Sequence, residues 1–225
     1  RNIVLGSFQV SKRPGNMQNE NQRRCAHIVS IVLPMFVHRM NKDFHREVAA
    51  VSVESVDAIV SELGSGCVEN LLDPLAQQLL LFLQGNAACQ EVQDDLDDED
   101  DENGEGEDHD FVLMDSVTDL VGTLARAFGS RFVNHAQPLL EPLGRFLAPN
   151  RPHTDRSMAI GCYGELVQGM GAQMGGQHCA SMAQIVLVGM RDSHHEVKVS
   201  PFTNFCYCYC IVGVLMLVYW CCRSV

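Results

Sequence analysis

Residues 111 to 132 read FVLMDSVTDLVGTLARAFGSRF, and their apolar side chains do not alternate. Met114, Val117, Leu120, Val121, Leu124 and Phe128 recur at intervals of three and four, which places them on one face of a helix turning every 3.6 residues. Working outward, the same spacing returns on both sides. Val48, Val51, Ile59, Val60 and Leu63 form one stripe, and Leu71, Leu72, Leu75, Leu79 and Phe82 a second. Leu139, Leu140, Leu143 and Leu147 follow, then Met158, Cys162, Leu166, Val167 and Met170. Strand-type alternation is scarce, so the span from His27 to Met190 reads as all-α.

The stripes are also spaced along the chain. Helices ending at Met40, Leu83, Leu147 and Met190 are separated by 43, 64 and 43 residues, the middle interval being one period plus 21. A second register agrees, because Asp43, Glu47 and Val48 in DFHREV match Asp192, Glu196 and Val197 in DSHHEV. Two antiparallel helices per roughly 43 residues is the scale of HEAT and armadillo repeats, in which each pair has an apolar face that only its neighbours cover. The expected architecture is a HEAT-repeat solenoid of about 3.5 repeats over residues 25–198. Its pairs are 27–40 with 44–63, 68–84 with 110–129, 131–148 with 153–170, and 174–190 with a helix starting near His194. Residues 1–24 show no helical stripe and are expected to be a flank outside the array.

The extra 21 residues fall where the chain reads QDDLDDEDDENGEGEDHD, from Gln93 to Asp110. Of 28 Asp plus Glu in the chain, 13 lie between Glu91 and Asp110, where there is no Lys or Arg. The other residues hold 16 bases and 15 acids, so the formal charge of −12 belongs to one segment. An insertion at 91–110, inside the turn of the second pair, costs little to close, roughly 0.6 kcal/mol per doubling of loop length. Its field attracts Lys- and Arg-rich protein segments and is unsuited to nucleic acid. Asp94, Asp95, Asp97, Asp98, Glu99, Asp100, Asp101, Glu102, Glu105, Glu107 and Asp108 are therefore the candidate binding residues. A calcium loop starting at Glu99 fits poorly, since it has Gly106 at position 8 and Asp110 where a bidentate Glu is needed.

Little else in the chain suggests chemistry. His194 and His195 are adjacent, as are His178 and Cys179, so neither couple presents two metal ligands on one helical face. Cys25, Cys67, Cys89, Cys162 and Cys179 sit among apolar residues, where reduced thiols act as small hydrophobes. No phosphate-binding glycine loop, H-E-x-x-H or G-x-S-x-G motif occurs, so no enzymatic activity, metal or cofactor is expected.

The helical segment after the acidic insertion, with Leu113, Met114, Asp115, Asp119, Leu120 and Leu124, resembles the importin-β (karyopherin-β) family. The likeness extends to HREV at His45–Val48, PLLEPL at Pro138–Leu143 and DRSMAIGCYGEL at Asp155–Leu166, about three quarters of the chain in all. It is closest to the subgroup associated with histone and ribosomal-protein cargo. The resemblance implies a nuclear import receptor moving between cytoplasm and nucleus, whose second helices and acidic loop bind basic cargo. Release would be driven by Ran-GTP, and outer helices would meet phenylalanine-glycine nucleoporins. A full receptor has about twenty repeats, so this chain is expected to be a fragment. The alternatives are a HEAT-repeat scaffold of another large assembly and a tail-anchored adaptor.

The last reading arises from the end of the chain, where residues 202–222 carry no charge and are long enough to cross a bilayer. The family pattern stops at Lys198, Val199 and Ser200, which an in-frame splice donor would encode. Residues 199–225 are expected to come from a retained intron rather than from an evolved membrane anchor.

Overall fold

The computed structural model describes residues 15–91 and 105–198. Within them all regular structure is helical, so the protein is all-α as the periodicity requires. The helices are α1 (Gly15–Lys42), α2 (Arg46–Leu63), α3 (Leu72–Gln84), α4 (Ala88–Glu91), α5 (Glu105–Phe128), α6 (Val133–Arg145), α7 (His153–Met170) and α8 (Ala172–Met190). A further helical turn covers 195–198. The chain divides into two compact units, Arg1–Leu120 and Val121–Val225.

In the first unit, α1 and α2 form a hairpin joined by residues 43–45 and packed along their length. The buried face of α2 is Ala49, Ala50, Ser52, Val53, Val56, Ile59 and Val60. Small residues near the start of that face let the two helices approach, and the Ser52 hydroxyl is satisfied by donating to the Val48 carbonyl at 2.7 Å. The expected α2 stripe needs correction, because Val51 is 59% exposed and Val53 and Val56 are fully buried. Counting Val48 and Val51 as the seam rotated the face away from the alanines that make the contact.

Leu75, Leu79 and Phe82 of α3 are fully buried in this unit. Gln78 lies among them, and its Nε2 donates to the Met40 carbonyl at 3.0 Å. That carbonyl belongs to the last turn of α1, where no amide further along the helix is available to it. α3 ends at Gly85, whose φ of 75° is left-handed; Asn86 N–H then bonds the Leu81 carbonyl at 2.9 Å.

In the second unit, α7 is buried on most sides through Met158, Ala159, Ile160, Cys162, Tyr163, Leu166, Val167 and Met170. It packs against α8 and α6. The Tyr163 hydroxyl donates to the Leu140 carbonyl at 2.5 Å, and burial raises the pKa of this phenol. Gly169 lies where α7 meets α5: a Cβ there would be 2.5 Å from the Ala125 carbonyl carbon and 2.6 Å from the Arg126 nitrogen. Only glycine fits so close to another helix's backbone.

Several boundaries differ from the expectation. α1 begins at Gly15, inside the segment read as a flank at 1–24. Further along it, Glu20 and Arg24 are exposed and pair at 2.5 Å, a polar i,i+4 contact that leaves no apolar stripe to read. The helix expected from residue 68 starts at Leu72 after two 3₁₀ turns, Ser65–Cys67 and Glu69–Leu71. The one expected over 131–148 is α6, entered through the 3₁₀ turn Gly129–Phe132. The segment expected over 110–129 is α5, which already begins at Glu105. Residues 199–225 lie outside the described residues, and among the described ones no helix is long and apolar enough to cross a membrane.

Candidate functional site

The acidic insertion follows α4 and precedes α5, and the described residues on both sides of it are held by the core of the first unit. Ala87 and Cys89 are buried, 1% and 3% exposed. Between them and the loop stands Gln90. Its Oε1 accepts the Ala87 N–H at 3.2 Å, and its Nε2 donates to the Phe82 carbonyl at 3.3 Å and approaches the Met114 sulfur at 3.8 Å. One side chain thus joins the exit of the insertion, the end of α3 and the helix on which the chain returns. Arg46, the first residue of α2, adds a bond from Nε to the Cys89 carbonyl at 3.3 Å.

On the return side, Leu113, Val117 and Leu120 are fully buried, so α5 is gripped by the core within three turns of its start. Glu105, Glu107 and Asp108 occupy its first turns. They were expected within an open insertion running to residue 110. Acidic residues at a helix start are favoured by its unpaired N–H groups, which carry partial positive charge. Asp94, Asp95, Asp97, Asp98, Glu99, Asp100, Asp101 and Glu102 lie outside the described residues. The structure therefore places the two anchors of the candidate site and three of its eleven residues. α5 also carries acids beyond the run. Asp115 and Asp119 are exposed, and the pKa of the Asp115 carboxyl is raised because neighbouring atoms still remove part of its water.

Elsewhere the geometry links residues that the sequence kept apart. Asp192 Oδ1 accepts the His194 N–H at 2.9 Å, while Arg156 closes on the same carboxylate through Nε at 2.7 Å and Nη2 at 2.9 Å. Arg156 also donates to the Arg151 carbonyl. The side chains of Arg156 and Asp192 are 8% and 9% exposed. The bidentate guanidinium is the main cause that lowers the Asp192 pKa to about 2. His194 does not face His195 but stacks on His153, with ring centroids 4.6 Å apart, and His153 Nε2 lies 3.3 Å from Glu196 Oε2. No sequence signal paired residues 153 and 194. Among the described residues no group of three or more His, Cys, Asp and Glu is arranged to hold a metal ion. Cys25, Cys89 and Cys162 are buried thiols outside any disulfide, whereas Cys67 is half-buried, donates to the Gly64 carbonyl at 3.0 Å and has its pKa raised by burial.

In comparisons with known proteins, no family model and no curated protein matches this chain.

Proposed function

We propose that this chain is part of a nuclear import receptor of the importin-β type, with its helix pairs stacked as HEAT repeats and its acidic insertion recruiting basic cargo such as histones or ribosomal proteins. The observation that carries the reading is electrostatic. Thirteen acids without a base sit between anchors pinned by Gln90 and Leu113, on a chain whose other charges nearly cancel. Such a field collects basic segments by long-range attraction and speeds encounter, with no catalytic group or cofactor needed. Exchange with Ran-GTP and contact with phenylalanine-glycine nucleoporins belong to the same reading, as does a life divided between cytoplasm and nucleus.

Repeat stacking has its own support. The turns at Asp43 and Asp192, paired by sequence alone, are built alike, each aspartate accepting the backbone N–H two residues on, at 3.1 Å and 2.9 Å. Near the start of α2 and of α7 an arginine reaches a segment just beyond a later helix, Arg46 to Cys89 in the short α4 after α3 and Arg156 to Asp192 after α8. A stack stabilised by nearest neighbours holds best in its interior. Amide hydrogen exchange is expected to be slowest within 113–147. Slowest exchange in 27–40 or 174–190 would instead indicate a bundle with its core at the ends.

The cargo reading is tested by replacing Asp97, Asp98, Glu99, Asp100, Asp101 and Glu102 together with Ser. Binding of a lysine-rich histone-tail peptide to the full chain is expected to weaken by about tenfold or more, with helicity unchanged because no core residue is altered. Wild-type affinity should also fall with salt, as the Debye length shrinks from about 10 Å at 0.1 M towards 3 Å at 1 M. Binding that ignores both salt and the substitutions would leave the insertion as a spacer in a scaffold.

A further inference from the structure

Charge divides the α1–α2 hairpin into two unlike helices. α1 carries Arg23, Arg24, Arg39 and Lys42 against the single acid Glu20, whereas α2 carries Glu47, Glu54, Asp57 and Glu62 against the single base Arg46. Packing then decides where the bases of α1 point. Cys25, Val29, Leu33 and Met40 make its buried side. The opposite side, read at intervals of three and four, is Arg24, His27, Ile31, Met35, His38 and Lys42, all of them exposed. This stripe runs about 27 Å along the helix, with a cation at each end and two apolar side chains in the middle.

Ile31 and Met35 are 51% and 59% exposed and lie one turn apart. A single large apolar side chain in water is ordinary, but two side by side, on a helix whose opposite side already serves the core, form a patch. The cations that frame it are free to take a partner. Glu20 holds Arg24 in an exposed i,i+4 pair that gives way at little cost, and among the described residues Lys42 makes no ion pair. An apolar centre with a charged rim is the anatomy of a protein contact, and a rim of one sign selects its partner by charge. Basic segments are repelled here. A nucleic-acid backbone would satisfy the cations but would set its phosphates against Ile31 and Met35.

We propose that the outer face of α1 docks an acidic amphipathic helix of another protein. Two apolar side chains of that helix, one turn apart, pack on Ile31 and Met35, and carboxylates in its outer turns meet Arg24 and Lys42. Apolar contact holds the helix in place, while opposite charge steers its approach and rejects basic segments. The inference uses no residue of the insertion and is independent of the cargo reading.

The probe is a labelled synthetic helix of about 20 residues, with leucines at i and i+4 in its centre and glutamates in its outer turns, titrated into the full chain. Saturable binding is expected. Ile31→Ser with Met35→Ser, both at exposed positions, should weaken it about tenfold, and Arg24→Gln with Lys42→Gln should weaken it as much and also flatten its dependence on salt. Absence of binding overturns the proposal, as does binding indifferent to the two serine substitutions, which would reduce the contact to ion exchange. Equal binding of a probe whose leucines are replaced by serine overturns it too. So does capture of a neutral phenylalanine-glycine peptide or of oligouridylate with the same sensitivity at all four positions, since the surface would then belong to another class of partner. The six-fold Ser variant of the insertion should bind the acidic helix at least as well as the wild type, and the Ile31–Met35 variant should bind the histone tail normally, so this inference and the cargo reading fail separately.

Discussion

Gly169→Ala is expected to destabilise the second unit by about 2–4 kcal/mol, although alanine is the better helix former by about 1 kcal/mol. The new methyl group would lie 2.5, 2.6 and 2.7 Å from the carbonyl carbon of Ala125, the nitrogen of Arg126 and the carbonyl oxygen of Ala125. All three are backbone atoms of α5, so no rotamer change relieves the clash and α7 must move away. That movement loosens Leu166 and Val167, 0% and 3% exposed, and loses contacts that a packed interior cannot easily replace. Gly122→Ala is the contrast. Its Cβ would collide with the Glu165 carboxylate at 1.5 Å, which can turn aside at the cost of the Arg126–Glu165 contact at 2.9 Å, and would lie 3.0 Å from the Glu165 Cβ, which a small shift of the helix relieves. A loss of about 0–1 kcal/mol is expected there. Urea denaturation of the two variants measures the difference; equal stability would show that the close approach of α7 to α5 is not what holds this unit.

The second large effect is at Arg156. Removing it by Arg156→Ala leaves Asp192 charged, largely covered and without its fork, and leaves the Arg151 carbonyl without this donor. Breaking a fully buried pair costs about 3–5 kcal/mol. The turn around this one, at Arg191, Ser193 and His194, is open to water, so about 2–3 kcal/mol is expected. Asp192→Asn should cost less, because its amide oxygen can still accept the His194 N–H, and the double variant should cost less than the sum of the two. The pH dependence has a definite sign. The folded pKa of about 2 lies below the ordinary value of about 3.9, so the stabilisation is present above the unfolded pKa and is lost as pH falls through about 2. That difference of about 1.9 pKa units represents about 2.6 kcal/mol; with solvent screening, since the residues around the pair are open to water, about 1–2 kcal/mol should disappear between pH 5 and pH 2. Asp192→Asn should remove that part of the acid sensitivity. An unchanged acid profile in the variant would mean that the pair contributes nothing to folding.

Periodicity was a reliable guide where a helix had one clear apolar side. All six expected α5 positions from Met114 to Phe128 are buried, as are the five on α7 from Met158 to Met170. The expected helix ends at Met40, Leu83, Leu147 and Met190 fall within two residues of those observed, since a stop signal such as Gly85 acts locally. The register between DFHREV and DSHHEV was legible for the same reason: a side chain accepting the N–H two residues on is a short-range device. The excess charge of the insertion was plain from composition alone.

Other features depend on residues far apart in sequence. On α2 the alanines and Ser52, rather than Val51, turned out to be the packed side, because the side that is buried is set by what lies opposite and small residues admit a closer neighbour. The role of Gln90 could not be read from its type, as it comes from three partners at positions 82, 87 and 114 that meet only after folding. Arg156 and Asp192, 36 residues apart, have ordinary surface chemistry until packing excludes water from between them. Local backbone preference and apolar spacing act within one or two turns and can be read along the chain. Burial, closure of the insertion and the strength of an ion pair depend on which distant atoms displace water, and that is decided when the helices pack.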